Sequence, residues 1–300
     1  MPFLSDERWE QVLQTRATDP RRIIDSLTNR NQRELMGEDG RLFIIAADHS
    51  ARGMLGIPGH PFAMADRRRT IDALCVALDH PGVDGVLASA DIIEDLALLG
   101  KLEKKLVFGT MNRGGLMGAK WELDDRMTAY SAATIKRFGL DGGKVLLRIA
   151  DDDPGTASTI DACARAVDEC AAVGVPILVE PLPYHLDSEG NAAMLRDEDA
   201  LLRAVAIGSG LGSTSTYTWL KVPASANPER LLSCTSLPAL ILGGTPGADL
   251  EATYATWERA MAIPNARGLV VGRSLLYPAD GDVAGAIDRA ARIAHNRPRT

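Results

Sequence analysis

Tyr217-Thr-Trp-Leu-Lys-Val-Pro223 sets a single lysine in an aromatic and apolar stretch closed by proline. Aromatic and β-branched residues predict a strand here. With a period of two, Tyr217, Trp219 and Lys221 share one face, and Thr218, Leu220 and Val222 the other. Lysine is almost never fully buried without a partner or a task. Held out of water it gives up its proton more readily, and the neutral amine attacks a carbonyl carbon to form a Schiff base. The plainer reading of this stretch is a strand-end lysine reaching solvent. The other chemistry-bearing residues decide between the two.

Those residues recur at the ends of short apolar runs. Asp48 and His49 follow Leu42-Phe-Ile-Ile-Ala-Ala, Arg148 and Asp151 close the run that starts at Lys144, and Glu180 ends the run from Pro176. Gly243, Gly244 and Thr245 follow Ala239-Leu-Ile-Leu, and Gly272, Arg273 and Ser274 follow Gly268-Leu-Val-Val. An iminium at Lys221 would act as an electron sink for the carbanion left by C–C cleavage. Asp48 and Glu180 are placed to shuttle protons, with His49 as a further candidate. Gly243, Gly244 and Gly272 leave backbone N–H groups uncovered for a phosphate, and Arg273 offers a bidentate contact to it. Arg148 is a second candidate for substrate or phosphate, its alternative being a pair with Asp151. Asp151-Asp-Asp153 precedes Pro-Gly and a helix start, so it reads as a cap rather than a cation site.

The elements that must carry these residues alternate. Eight predicted strands are each followed by a predicted helix, which implies a parallel sheet covered on both faces. The expected fold is α/β: a single (β/α)8 barrel over residues 41–300, preceded by a helical extension over 1–40. In such a barrel the site lies at the C-terminal ends of the strands. An open doubly wound sheet lacks support, because no G-x-G-x-x-G follows the first strand. Residues 5–36 read as helical and cover the bottom of the fold, with Arg21, Arg22, Arg30 and Arg33 facing solvent or a neighbouring subunit. A third barrel helix is expected over 124–138. Lys144 opens the fourth strand, at the end remote from the site.

Composition bounds the rest. With 300 residues, 46% of them hydrophobic and 24% charged, the chain has the make-up of a globular protein. A net charge of -7 without a basic tract argues against nucleic acid or an anionic membrane as partner. Four scattered cysteines fit reduced, buried thiols, and an acidic N-terminus without an apolar core predicts a cytoplasmic protein. Five histidines lack ligand-like spacing, so neither a metal nor another cofactor is expected.

These residues resemble the class I aldolases of the barrel superfamily that includes deoxyribose-phosphate, tagatose-bisphosphate and archaeal-type fructose-bisphosphate aldolases. Ala46-Ala-Asp-His49 is similar to its first-strand motif, Val179-Glu180 to its fifth-strand glutamate, and Trp219-Leu-Lys-Val-Pro223 to its Schiff-base strand. Leu242-Gly-Gly244 and Val271-Gly-Arg273 are similar to its phosphate site. The resemblance spans about residues 40–295 and implies Lys221 as the Schiff-base lysine, Asp48 and Glu180 in proton transfer, and Gly244 and Arg273 at phosphate. It implies a homo-oligomer acting on a phosphorylated small molecule. Candidates are 2-deoxy-5-keto-gluconate 6-phosphate, deoxyribose 5-phosphate and fructose or tagatose bisphosphate. Two departures stand out: Ser50 replaces the glycine of many relatives, and the second catalytic lysine of some members has no counterpart. Alternatives are a transaldolase or keto-acid dehydratase on the same lysine, or a barrel that binds sugar phosphates without turnover.

Overall fold

In the computed structural model, which describes residues 4–243 and 250–295, each apolar run is a strand. In chain order the strands are β1 (Leu42–Ala47), β2 (Gly85–Ala88), β3 (Leu106–Thr110), β4 (Gly142–Ile149), β5 (Ile177–Leu186), β6 (Ala192–Met194), β7 (Thr218–Pro223), β8 (Ala239–Leu242) and β9 (Ala266–Val271). Eight of them pair in parallel in the order β4-β3-β2-β1-β9-β8-β7-β5, and β4 pairs with β5 to close the barrel. The ninth, β6, is a short antiparallel partner of β5 outside the ring. The helices are α1 (Asp6–Thr18), α2 (Arg21–Thr28), α3 (Arg67–Asp79), α4 (Ala90–Leu98), α5 (Ala132–Arg137), α6 (Gly155–Val173), α7 (Glu198–Ser209), α8 (Pro228–Ser233), α9 (Leu250–Ala260), α10 (Arg273–Leu276) and α11 (Val283–Ala294).

The period of two sorts the apolar residues into two cores. Leu42, Ile44 and Ala46 of β1 fill the barrel with Leu87, Phe108 and Leu178, whereas Phe43, Ile45 and Ala47 pack outward in the strand–helix layer. On β7, Trp219 packs on the inner cluster while Leu220 and Val222 join the outer one. The lysine two residues beyond Trp219 therefore points into the barrel, as the alternation predicts.

The segment before β1 closes the bottom. Leu35 and Met36 pack against the inner cluster. Arg30 is buried and donates to the carbonyls of Lys105 and Gly139 and to Asp141 at 2.6 Å, while Arg33 pairs with Asp84 at 2.5 Å. These two arginines are structural clamps on the lower strand ends, not the free surface expected from sequence. Their carboxylate partners lie 51 and 111 residues away.

Two predicted bounds shift, with consequences for the site. The helix expected over 124–138 shrinks to α5, because backbone N–H groups of Thr128 and Ala129 bond to the Met111 carbonyl at the end of β3. A capping box of Ser131 and Thr134 then starts the helix. Residues 111–131 form a long loop over the barrel mouth instead. Strand β5 runs on to Leu186 where Pro181 and Pro183 predict a stop. It pairs with β7 only through Val179, so the missing proline N–H groups cost no bond on that side.

Candidate active site

Inward-facing charged side chains from β4, β5 and β7 and from the residue after β1 meet in the upper part of the barrel. Lys221 Nζ lies 2.6 Å from Glu180 Oε1, and Lys144 Nζ lies 2.5 Å from Glu180 Oε2 and 3.2 Å from Asp48 Oδ2. Arg113, from the loop after β3, donates to the same Asp48 oxygen and to Thr110 Oγ1 at 2.7 Å. The result is a chain of alternating charge, Lys221–Glu180–Lys144–Asp48–Arg113, whose members are all buried. It forms the floor of a cavity of about 410 Å³ at the C-terminal ends of the strands.

Burial alone would neutralise these groups, and their mutual contacts decide which stay charged. Burial pushes the Asp48 carboxyl up, but Arg113 and Lys144 outweigh it and hold the group well below the usual carboxylate range. Burial likewise raises Glu180, yet Lys144 and Lys221 together bring it down to about 2. Two charges about 4 Å apart attract by about 4 kcal/mol at an effective dielectric of about 20. Two such contacts per carboxylate are enough to keep both ionised. The lysine between them behaves differently: burial, then Arg113, lowers Lys144 to about 8 despite Asp48 and Glu180. Three cations face two carboxylates, and burial beside Arg113 makes the Lys144 proton easier to lose.

Lys144 is a correction to the sequence reading. It is the third residue of β4, below the strand end, but its side chain rises inside the barrel to the level of Glu180. The backbone register explains this. Leu146, two residues later, is the Cα partner of Glu180, and a flexible four-carbon stem bridges that step.

The residues expected from sequence to hold phosphate are brought together in part. Gly243, Gly272, Arg273 and His49 line the same cavity. Arg273 Nη1 donates to the Gly56 carbonyl at 3.2 Å, and its Nε has no partner among the described residues. Ser274 Oγ is buried and likewise unpartnered. Glycine at 272 has a packing reason as well, since a side chain there would collide with the Ala46 carbonyl of β1. Burial lowers His49 to about 3, so it is a neutral imidazole, and its Nδ1 has no partner among the described residues. Gly244 and Thr245 lie outside the described residues.

Arg148 does not join this group. Fully buried, it pairs with Glu122 at 2.7 Å and Asp125 at 3.2 Å and donates to the Gly115 and Glu122 carbonyls. It locks the 111–131 loop over the barrel, and Asp151 pairs with Arg203 instead. Arg52 and Arg113, both at the cavity, escaped sequence reasoning because each follows its strand end by several residues. Among the described residues no three His, Cys, Asp or Glu side chains converge to hold a metal ion. None of the described helices is long and apolar enough to cross a membrane.

A closed (β/α)8 barrel with two helices ahead of its first strand is the class this architecture defines, and it has the fold of the archaeal Schiff-base aldolases. The chain belongs to the Cgl0159-like family, whose profile matches residues 40–291. It is 47% identical to Cgl0159 from Corynebacterium glutamicum, with a TM-score of 0.96 to that crystal structure over 99% of each chain. An archaeal fructose-1,6-bisphosphate aldolase with its catalytic lysine covalently bound to a carbinolamine intermediate shares the fold at a TM-score of 0.65. That match has 16% identity and covers 91% of this chain and 99% of the other. A fructose-bisphosphate aldolase from Slackia heliotrinireducens matches at a TM-score of 0.59 and 12% identity, over 94% of this chain and 93% of the other. No curated protein matches this sequence.

Proposed function

We propose that the protein is a class I aldolase that reversibly cleaves a phosphorylated sugar or sugar acid through a Schiff base on Lys221. The observation that carries this reading is the buried bridge in which Glu180 contacts both Lys221 and Lys144 at one cavity floor. A nucleophilic amine must be neutral. Here Lys144, whose proton burial makes easier to lose, stands across Glu180 from Lys221 and is placed to take up the proton that Lys221 gives as it attacks.

The neutral Lys221 nitrogen then attacks the substrate carbonyl; the oxygen takes a proton from the network, and the nitrogen returns one of its own protons to it. A second proton converts the carbinolamine hydroxyl to water, which leaves as the iminium forms. Asp48 or Glu180 removes the proton of the aldol hydroxyl. The C–C bond breaks, an aldehyde departs, and the bonding pair flows to the iminium nitrogen to give an enamine. Protonation of the enamine carbon and addition of water release the second product and return the amine. Arg273, Ser274 and the Gly243 and Gly272 turns hold the phosphate. The acceptable substrates are the candidates that the family resemblance implies.

Borohydride trapping tests the class. The protein is reduced in the presence of dihydroxyacetone phosphate, acetaldehyde, malonate semialdehyde or pyruvate and its peptides are read by mass spectrometry. An adduct on Lys221 is expected, and the carbonyl that traps best names half of the substrate. No adduct from any of these carbonyls on folded protein would leave the non-catalytic binding barrel as the better reading. A transaldolase or dehydratase would trap on Lys221 but yield different products.

A further inference from the structure

One arginine at the cavity mouth is unused by the reaction scheme. Arg52 ends the turn Ser50–Arg52 after β1, is buried, and lines the cavity with Arg273. Both arginines brace the same stretch of the β1 loop, Arg52 through the Met54 sulfur at 3.8 Å and Arg273 through the Gly56 carbonyl. Gly272, next to Arg273, packs at the ring of His49. Both guanidinium groups act electrostatically on that imidazole, and on each other.

Arg52 is poorly matched where it stands. A guanidinium has five N–H donors. Among the described residues its side chain makes one long contact with Glu122 Oε1, at 3.4 Å, besides the weak one to sulfur. That oxygen already accepts from Arg148 at 2.7 Å, and the other accepts the Gly118 N–H at 2.7 Å. Arg273 has no carboxylate partner among the described residues. The charge count points the same way. Arg52 and Arg148 balance Glu122 and Asp125, the Lys221 network carries one excess cation, and Arg273 adds another. Arg273 thus brings a positive charge that no carboxylate of the described residues meets, beside an Arg52 whose donors are mostly unused.

We propose that Arg52 is the second guanidinium of the phosphate subsite, so that the cavity takes a doubly charged phosphate monoester between Arg52 and Arg273 and discriminates against a singly charged carboxylate at that end. The inference rests on the phosphate end of the proposed aldolase reading and not on imine formation. Two planar forks approaching from the β1 and β9 loops satisfy more than one phosphate oxygen each. Backbone turns alone would not separate the two charge states so strongly.

The test uses glycerol 3-phosphate, a phosphate monoester with no carbonyl, so binding is read without any Schiff base. Calorimetric titration of the intact protein is expected to show binding, with glycerol and glycerate far weaker. Arg52→Met is expected to weaken glycerol 3-phosphate by about tenfold or more, the scale of a lost charge-assisted hydrogen bond. Arg52→Lys keeps the charge and tolerates the fold, and is expected to recover only part of the loss because an ammonium lacks the fork. Combined with Arg273→Lys, the two losses are expected to be non-additive, as for groups sharing one ligand. Wild-type affinity in Arg52→Lys, or glycerate binding as tightly as glycerol 3-phosphate, would overturn the proposal. Arg52-dependent phosphate binding in a protein that never traps a carbonyl would sustain it while removing the aldolase reading.

Discussion

Replacing Lys144 by methionine removes the amine but keeps most of the volume inside the barrel. Glu180 keeps Lys221 as a partner and Asp48 keeps Arg113, so neither buried carboxylate is stranded and the fold should persist. What is lost is the acceptor for the Lys221 proton. With Lys144 lowered to about 8, about 10% of it is neutral at pH 7. An ordinary lysine, with a pKa of about 10.4, would be about 0.04% neutral at pH 7. The ratio, roughly 200-fold, is the largest rate advantage that this proton exchange can supply to imine formation. Single-turnover imine formation with dihydroxyacetone phosphate, quenched by borohydride across pH 6 to 10, reads it directly. The sign follows from the lowered value: the neutral amine accumulates as pH rises, so the wild-type rate should climb to an inflection near 8 and then flatten. Lys144→Met should lose that inflection and fall at pH 7 by up to about 200-fold. A variant that retains the inflection and stays within about threefold of wild type would refute the role given to Lys144.

Three further outcomes follow from the contacts. Arg148→Met leaves buried Asp125 without a cation and Glu122 with only the long contact to Arg52, and should cost about 3–5 kcal/mol in denaturant unfolding, with protease cleavage appearing in the 111–131 loop. KM should rise equally for phosphorylated and unphosphorylated substrates, and a selective rise for the phosphorylated ones would return Arg148 to the phosphate site. Arg113→Met removes the cation that Asp48 depends on, so the acidic limb of the pH–rate profile should move upward as that carboxyl becomes easier to protonate; an unmoved limb would separate Asp48 from the chemistry. Gly272→Ala forces a methyl group against the Ala46 carbonyl and should destabilise the barrel by roughly 1–3 kcal/mol in thermal unfolding, whereas an unchanged Tm would mean that β1 and β9 separate freely.

The barrel was legible because its signal is local. Each strand is a short apolar run with a turn residue behind it, and alternation along β1 and β7 assigns the inner face without any tertiary information. The same rule carried Asp48, Glu180 and Lys221 to one end of the barrel, since each stands at or near the end of its run. It could not find Lys144, whose position along β4 says nothing about how far its stem rises. Nor could it read Arg148, which stands at a strand end like the others but is consumed by Glu122 and Asp125 of a loop that sequence pattern assigned in part to a helix. The sequence by itself therefore determined the eightfold βα repeat, the inward lysine and the two inward carboxylates, because periodicity and strand ends are properties of neighbouring residues. Only the tertiary structure decided which cations those carboxylates hold, and so how readily Lys144 gives up its proton. Charge pairing in a buried site depends on side-chain reach across strands, and on contacts between residues 36 to 96 positions apart.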